Sequence, residues 1–212
     1  MGFVRAYHFV PTKHGLDDIQ NRRLKIARIE ELNDPFEMWA VAQEDPTLRK
    51  AFRKTKNELA QKFGVVCLSL SWDNPLLWSH YADRHRGLVL GFDVDTNLLK
   101  KISYVRNRPS MERINQELAV KLLFTKYIDW KYEKEARIYV RLERADPKSR
   151  HYFADFNEQL SLREVIAGPL NETPEQELRV AVHLDGNVML RKARLAFKTF
   201  KVVEDKRGFG TS

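Results

Sequence analysis

Cysteine, long apolar runs and a signal sequence are scarce or missing in this chain of 212 residues. Its one cysteine, Cys67, cannot form a disulfide within a monomer, and it lies in the apolar run Val65–Leu68, where a thiol is normally inert. No apolar run approaches the roughly 20 residues that a membrane helix needs. The N-terminus, Met1–Arg5, has no apolar signal region. These absences predict a reduced, cytoplasmic protein that does not enter a membrane.

Motifs that identify several enzyme classes are also missing. The chain has no C-x-x-C, no H-E-x-x-H and no zinc-ligand spacing, so it has no metal signature of these kinds. It has no Walker loop and no G-x-G-x-x-G sequence, and no serine stands in a G-x-S-x-G elbow. Phosphate-binding loops of these types and a hydrolase triad are therefore unsupported.

The charge is mainly of one sign. Lys and Arg number 37 against 29 Asp and Glu, which gives a net charge of +8. Such a field favours anionic partners, either nucleic acid or a phosphate-bearing small molecule. The cations form two groups, one on a predicted helix and one near the C-terminus: Arg49, Lys50, Arg53, Lys54 and Lys56, then Arg191, Lys192, Arg194, Lys198 and Lys201. A solvated helix face is the other interpretation of the first group.

Strands and helices alternate irregularly along the chain, which predicts an α+β fold with a mixed central sheet and peripheral helices. Apolar patterns predict strands at Val4–Val10, Gly64–Ser71, Gly87–Val94, Lys134–Leu142 and Glu164–Ala167. Helices are predicted from Pro46 and from Pro75, where Asp73 or Asn74 is the cap, over Asp95–Lys100, and from Ser110 to about Lys126. We expect a single domain over residues 1–205 and a disordered tail over 206–212.

Three short segments hold more polar and aromatic side chains than packing alone requires: Asn33–Glu37, Ser69–Asp93 and Trp130–Arg137. In the first, Asn33 or Asp34 is expected to cap a helix and Phe36 to pack. Because the three segments hold the unexpected polar residues of an otherwise ordinary chain, we expect them to converge around one cleft.

The same segments resemble a bacterial family of unknown function, DUF2971. They match, in order, its NDPFE turn, its L-M-W-S-H-Y-A-x-x-H-x-G-x-x-x-G-F-D block and its W-x-Y-E-x-E-W-R block, with Leu77 in place of Met and Ala136 in place of Trp. The resemblance extends from about Tyr7 to about Gly168. It implies an association with prophages or with phage defence, and no particular chemistry.

Glu133 and Glu135 stand two residues apart at the start of a predicted strand, so both side chains are expected on one face. The pair is similar to the E-x-E element of ADP-ribosyltransferases, whose split sheet the fold would then share. That resemblance implies that Glu135 grips the nicotinamide ribose of NAD and stabilises an oxocarbenium-like transition state. It also implies that Glu133 positions or activates the acceptor. A pair of exposed strand-edge charges near Arg137 is the other interpretation.

Earlier residues fit the same resemblance as candidates for binding the cofactor. The first predicted strand carries Arg5, Tyr7 and His8, and a middle strand carries Ser69-Leu70-Ser71, which resembles an S-T-S element. Arg5 is expected to hold a diphosphate, and Ser69 or Ser71 to orient a residue of the first strand. The alternatives are that Arg5 is a surface cation, that the hydroxyls of Ser69 and Ser71 satisfy backbone groups near a helix start, and that His8 is a half-buried histidine.

The predicted helix after Pro75 supplies further candidates. His80, oriented by Asp83, Asp73 or Asp93, is a candidate general base or phosphate-facing donor. Tyr81 shares a helix face with Trp78, either as a core pair or as a platform for a ligand. Arg86 is a candidate phosphate ligand.

These residues favour an ADP-ribosyltransferase-like, NAD-using enzyme, a toxin or phage-defence effector that acts on nucleic acid or protein. In that case Glu135→Gln should abolish NAD turnover with little loss of stability. One alternative is a metal-dependent nuclease built on His80, Asp93, Glu133 and Glu135. The other is a non-catalytic module that binds nucleic acid through its basic face. The sequence alone does not decide whether the chain is an enzyme.

Overall fold

A computed structural model describes residues 2–36, 46–108, 120–183 and 188–209. In these ranges helices are combined with a mixed sheet, which confirms the predicted α+β class. The chain divides into two compact units, each built from separate segments. The first unit comprises Met1–Leu24, Leu68–Leu98 and Asp155–Ser212, and the second comprises Lys25–Cys67 and Leu99–Ala154. The single domain over residues 1–205 stays a prediction.

The helices and strands of the described residues follow one another in this order: β1 (Phe3–Val10), α1 (Thr12–Gln20), β2 (Arg23–Arg28), a 3-10 helix (Ile29–Glu31), α2 (Pro46–Lys62), β3 (Phe63–Ser69), α3 (Pro75–Tyr81), β4 (Leu88–Asp95), β5 (Leu99–Lys101), β6 (Ser103–Val105), β7 (Thr125–Tyr127), a second 3-10 helix (Ile128–Glu133), β8 (Glu135–Arg141), β9 (Tyr152–Asp155), β10 (Leu160–Ala167), α4 (Glu175–His183), β11 (Met189–Leu195) and β12 (Val202–Glu204). No helix in these ranges is long and apolar enough to cross a membrane.

Strand β4 lies at the centre of the first unit. It pairs antiparallel with β1 on one side and with β10 on the other. Strand β10 then pairs parallel with β11, which pairs antiparallel with β12. The side chains of Leu88, Val89, Leu90, Phe92 and Val94 are completely buried, so both faces of β4 contribute to the core. The predicted strand at Gly87–Val94 is therefore confirmed.

Helix α3 begins where the sequence predicts it. Pro75 is its first residue, and the Asn74 side chain accepts a hydrogen bond from the Leu76 amide at 2.9 Å. Trp78 is fully buried, meets the ring of Phe9 edge to face at 5.4 Å, and donates its indole N–H to the Trp72 carbonyl at 2.6 Å. Trp78 is thus a core residue, as the first of its two interpretations held.

The chain leaves α3 through three consecutive residues in the left-handed region. Their φ angles are 43° at Asp83, 52° at Arg84 and 71° at His85. The turn is closed by the Gly87 amide, which donates to the Ala82 carbonyl at 2.7 Å. A Cβ at Gly87 would lie 2.3 Å from the Val10 carbonyl oxygen, so only glycine fits there.

The second unit has its own core and its own strand pairs. Strand β3 pairs with β2, with Ala27 opposite Val65, and with β8, which also pairs with β5. Strands β6 and β7 form a separate parallel pair. The core consists of Ile29, Leu59, Ala60, Ile102, Leu123 and Phe124, with Phe63 stacked on Tyr139 at 4.6 Å.

One prediction of local structure is wrong, and another is confirmed in its described part. The chain does not form a helix over Asp95–Lys100, because the Asp95 carboxylate accepts the Asn97 amide at 2.9 Å and closes a turn, after which β5 pairs with β8. The predicted helix from Ser110 to about Lys126 falls largely on residues 110–119, outside the described residues. Residues 120–122 are helical, as predicted, and the chain then enters β7 at Thr125, whose ladder with β6 takes the backbone hydrogen bonds.

Part of the predicted disordered tail lies within the described residues. Residues 206–209 are described, and Arg207 pairs with Asp205 at 3.2 Å, whereas residues 210–212 lie outside them.

Candidate functional site

The two carboxylates of the E-x-E element reach one ammonium group. Glu133 ends the second 3-10 helix, Lys134 has a left-handed φ of 46°, and Glu135 begins β8. The prediction that both residues lie on one strand face is therefore wrong. The left-handed turn nevertheless brings both to Lys126, whose Nζ lies 2.6 Å from Glu133 Oε2 and 3.1 Å from Glu135 Oε2.

Arg137 completes a buried network of two cations and two carboxylates. Its Nε donates to Glu135 Oε1 at 2.6 Å, and its Nη1 donates to the Leu123 carbonyl at 2.8 Å. The exposed fraction of each of the four residues is 7% or less, so the interpretation as exposed strand-edge charges is wrong. Burial raises the pKa of Glu135, but Arg137 and Lys126 lower it by more, so its pKa lies below the ordinary value.

Hydrogen bonds made by its backbone also hold Glu135 in place. Its amide donates to the Tyr104 hydroxyl at 2.8 Å, and its carbonyl accepts the Ile102 amide at 3.0 Å. Burial raises the pKa of Tyr104 to about 12, so this phenol stays neutral. The Lys126 ammonium also lies 4.7 Å from the centroid of the Trp130 ring, a cation–π distance.

A cavity of about 300 Å³ opens in the second unit next to this network. Its walls come from the ends of β6 and β7, from the segment after β6 and from the Asn33–Glu37 segment: Asp34, Phe36, Val105, Arg106, Asn107, Arg108, Thr125, Lys126 and Tyr127. Lys126 therefore connects the cavity wall with the two carboxylates, because its ammonium group is buried against them. Neither Glu133 nor Glu135 is part of the wall.

The Asn33–Glu37 segment supplies the cavity with an aromatic ring and a buried carboxylate. Asp34 accepts a hydrogen bond from the Phe36 amide at 2.9 Å and closes a local turn, whereas the helix that it was predicted to cap falls on residues outside the described ranges. Phe36 does not pack in a core, since 56% of it is exposed. The guanidinium of Arg108 lies 4.9 Å from its ring centroid. Glu37 lies outside the described residues.

Arg5 lies in an ion cluster of the first unit. Its Nε lies 2.8 Å from Asp93 Oδ1 and its Nη1 lies 2.5 Å from Glu164 Oε1. Arg163 holds the other oxygen of Asp93 at 3.0 Å, and Arg191 lies 3.0 Å from Glu164 Oε2. A diphosphate at Arg5 would therefore compete with two carboxylates that are already in place.

The other two candidate residues of β1 are Tyr7, which lies near this cluster, and His8. Burial and the nearby Glu164 carboxylate raise the pKa of Tyr7. Tyr7 is also paired across the sheet with Ser69. His8, opposite Leu90, is half-buried, as its alternative interpretation held.

Ser69 and Ser71 both have partners in the turn before α3. The Ser69 hydroxyl donates to the Ser71 carbonyl at 2.8 Å and accepts the Ser71 amide at 3.1 Å. The Ser71 hydroxyl donates to Asp73, whose second oxygen is bound by Lys201 at 2.7 Å. These bonds match the interpretation in which the hydroxyls satisfy the start of the helix.

His85, rather than His80, pairs with the serine of the W-S-H-Y segment. His85 Nε2 lies 3.0 Å from Ser79 Oγ, and burial lowers the pKa of this imidazole. His80 is exposed, with its ring edge-on to the half-buried Tyr81 at 6.0 Å. The expected orienting residues Asp73 and Asp93 bind other groups.

Arg86 has an exposed side chain on the same turn. Its backbone carbonyl accepts hydrogen bonds from the side-chain amide of Asn171 at 2.5 Å and from the Thr12 hydroxyl at 3.0 Å. These bonds hold the backbone here.

The candidate residues thus fall into both units. Glu133 and Glu135 belong to the second unit, and the first unit holds Arg5, Tyr7, His8, Ser69, Ser71, His80, Tyr81 and Arg86. Their convergence around one cleft stays a prediction. In the ranges 2–36, 46–108, 120–183 and 188–209, no group of three His, Cys, Asp or Glu side chains is placed to hold a metal ion.

Sequence reasoning missed Lys126, Glu164 and the part of the cavity wall supplied by β6, β7 and the segment after β6, whereas Asp34 and Phe36 lie in a segment that it singled out. Glu164 had a readable signal, because it interrupts the apolar strand Leu160–Ala167 and is buried there. It fits because Gly91 lies opposite, where a Cβ would come within 2.5 Å of Glu164 Cγ. Lys126 and the wall residues had no comparable signal, since they meet only through tertiary contacts.

Comparison of the chain with protein-family models, with curated proteins and with solved structures gives no match.

Proposed function

We propose that the protein is an NAD-using, ADP-ribosyltransferase-like enzyme that binds a nucleotide group in the cavity of its second unit. The observation that carries the proposal is the composition of that cavity next to the E-x-E network. Phe36 and Tyr127 offer aromatic surface, and Arg106 and Arg108 offer exposed cations. An aromatic surface suits a base or nicotinamide ring, and guanidinium groups bind phosphate in bidentate fashion.

The size of the cavity limits what it can hold. A volume of about 300 Å³ lies at the lower end of ligand pockets. It suits a mononucleotide, or one half of a dinucleotide whose other half lies outside. NAD is therefore expected to place one nucleotide against Phe36 and its diphosphate near Arg106 and Arg108.

Beyond nucleotide binding, the proposal includes the chemistry of ADP-ribose transfer. It is supported by the order of Arg5, Ser69 and Glu135 along the chain and by the lowered pKa of Glu135, which keeps this carboxylate ionised. An ionised carboxylate beside a ribose stabilises developing positive charge. Both Glu135 oxygens are bound by cations, so a ribose hydroxyl would share Oε2 with Lys126 Nζ or displace it.

Membership of the DUF2971 family, a role in phage defence and a cytoplasmic location are parts of the same proposal. The three sequence blocks support the first two. The composition, with its single cysteine, supports the third.

Calorimetric titration with NAD, ADP-ribose and AMP tests the binding step. A double variant, Arg106→Gln with Arg108→Gln, changes exposed side chains of the cavity wall. Each lost charge-assisted hydrogen bond should cost about 1.5–3 kcal/mol, which corresponds to about a tenfold to hundredfold loss of affinity. Arg49→Gln with Lys50→Gln on α2 is the matched control, because both cations are exposed and lie outside the wall. Equal nucleotide affinity in the wild type and in both double variants would count against the cavity as the binding site.

Proton NMR of released nicotinamide tests the transfer step. We expect turnover by the wild type and a strong reduction in Phe36→Ala, which removes an exposed aromatic wall and should leave the fold intact. Glu135→Gln should abolish turnover, and circular dichroism must show that it remains folded. A wild type that binds no nucleotide and releases no nicotinamide would remove the proposal.

A non-catalytic nucleic-acid-binding module is the second candidate. One observation favours it, because Arg49, Lys50, Arg53 and Lys54 on α2 are all exposed. Binding of nucleic acid that falls steeply with salt, without turnover, would support it. The metal-dependent nuclease is less well supported, because cations already bind the carboxylates of Asp93 and Glu135.

A further inference from the structure

The loop between β11 and β12 exposes two phenylalanine rings. Phe197 is 87% exposed and Phe200 is 99% exposed, more than any other large apolar residue among the described ranges. Leu195 at the base of the loop is exposed as well. Single exposed apolar residues are common on proteins, but two aromatic rings at one loop tip indicate a binding surface.

The loop is a closed turn. The Ala196 amide donates to the Lys201 carbonyl, and the Lys201 amide donates to the Thr199 carbonyl, both at 2.9 Å. Lys201 is tied to Asp73 at 2.7 Å. Backbone hydrogen bonds therefore hold the loop that carries the rings, and a ligand that uses them meets a backbone that is already formed.

The charge around the rings selects an anionic ligand. Residues 189–201 contain no Asp or Glu and five cations: Arg191, Lys192, Arg194, Lys198 and Lys201. Each ring is followed directly by a lysine, in Phe197-Lys198 and Phe200-Lys201. The Arg194 guanidinium lies 4.4 Å from the Phe197 ring centroid, so a cation also accompanies that ring in space.

We propose that this loop binds single-stranded nucleic acid, with bases stacked on Phe197 and Phe200 and phosphates held by Lys198 and Arg194. Stacking needs exposed rings and phosphate binding needs cations nearby, and the loop provides both. Double-stranded nucleic acid does not offer unstacked bases to such rings. A lipid surface fits less well, because Lys198 and Thr199 stand between the rings, where a membrane-inserting tip would be apolar. The site shares no residue with the nucleotide cavity, and the proposal does not depend on that cavity.

Fluorescence anisotropy with a labelled oligothymidylate tests the proposal. Wild type is compared with the double variant Phe197→Ala with Phe200→Ala at about 50 mM and about 200 mM salt. We expect the variant to bind about 10- to 100-fold more weakly, since stacking on each ring contributes appreciably to affinity. Phe3→Ala is the matched control, because Phe3 is also an exposed phenylalanine but lies on β1. Lys198→Gln should reduce the salt dependence by about one phosphate contact.

Four results would overturn the proposal. The first is equal affinity of the wild type and the double variant. The second is binding of a duplex as tightly as the single strand. The third is ring-dependent binding to phosphatidylserine vesicles without oligonucleotide binding, which would assign the loop to a lipid surface. The fourth is a dimer in light scattering that the double variant dissociates, without oligonucleotide binding, which would assign it to self-association.

Discussion

Lys126 and Glu135 form a buried ion pair, with 3.1 Å between Nζ and Oε2, and Glu133 shares the same ammonium group. Arg137 balances the second carboxylate charge, so the four side chains together are neutral. In a medium that excludes water, each charge is compensated only while the others are present. Substitution of one member is therefore a test of the whole network.

Removing Arg137 should show how strongly the carboxylates depend on their cations. Arg137→Met should lower the free energy of unfolding by about 3–5 kcal/mol, because Glu135 then keeps a buried charge with one cation fewer. Urea denaturation measures the difference. Arg179→Met is the control, since its exposed pair with Glu175 on α4 should contribute no more than about 1 kcal/mol. Similar small losses in both variants would contradict the buried network.

Glu135→Gln should now be destabilising, contrary to the expectation from sequence that it would cost little stability. The substitution leaves Arg137 and Lys126 with one carboxylate between them, so we expect a loss of about 3 kcal/mol or more. Thermal unfolding should be measured beside NAD turnover on the same preparation. An unchanged melting temperature would show that the network is more open to solvent than its burial indicates.

The pH dependence of stability should report the same carboxylate. The folded-state pKa of Glu135 is lowered, so the stability that it contributes is present above its unfolded pKa and is lost as pH falls through the folded pKa. Wild type should therefore lose this part of its stability below about pH 4. In Glu135→Gln that part of the acid loss should be missing. Glu158→Gln, at an exposed position, should retain it.

Asp18 should give the opposite dependence on pH. Burial in α1, with Asp17 adjacent, raises the pKa of Asp18 to about 7 although Arg23 lowers it. The folded state therefore holds a proton that the unfolded state releases near pH 4, and stability should fall as pH rises from about 4 to about 7. Asp18→Asn should be more stable than wild type at pH 8, by as much as a few kcal/mol, with the difference vanishing toward pH 4. Thermal melts of both proteins across this pH range measure the difference in stability. A difference that does not change with pH would contradict the raised pKa.

Gly87→Ala should be strongly destabilising. The new methyl group would lie 2.3 Å from the Val10 carbonyl oxygen and 2.8 Å from backbone atoms of Ala82, and these cannot move as a side chain can. We expect a loss of about 1–3 kcal/mol or more, as for overpacking in a core. Gly2→Ala is the control, because its methyl would meet Thr96 at an ordinary 3.5 Å. A chemical denaturation curve for each variant decides the matter.

The sequence predicted the elements that local pattern determines. The apolar run at Gly87–Val94 indicated β4, and Asn74-Pro75 indicated the start of α3, because capping and the fixed φ of proline are local effects. The predicted helix after Asp95 failed because one side-chain bond to Asn97 favoured a turn. The apolar pattern does not show whether the helix or this turn is the more stable structure.

The candidate site was predicted less completely, for a physical reason. The E-x-E pair was recognised, but its environment depends on a left-handed Lys134 and on Lys126 from β7, neither of which follows from periodicity. The strand predicted from Gly87 did not indicate that the three left-handed residues before it return His85 to Ser79. Partners that are brought together by unusual backbone angles cannot be read from a pattern of apolar residues.

The left-handed run at Asp83, Arg84 and His85 has a consequence for the length of this segment. Its hydrogen bonds join the His85 amide to the Trp78 carbonyl and the Gly87 amide to the Ala82 carbonyl, so both ends of the run are fixed. One inserted or deleted residue would rotate His85 away from Ser79 and move Gly87 off the position at which the Val10 carbonyl excludes a side chain. The number of residues from Trp78 to Gly87 is therefore fixed by these contacts, whereas the exposed side chains of Asp83 and Arg84 are not.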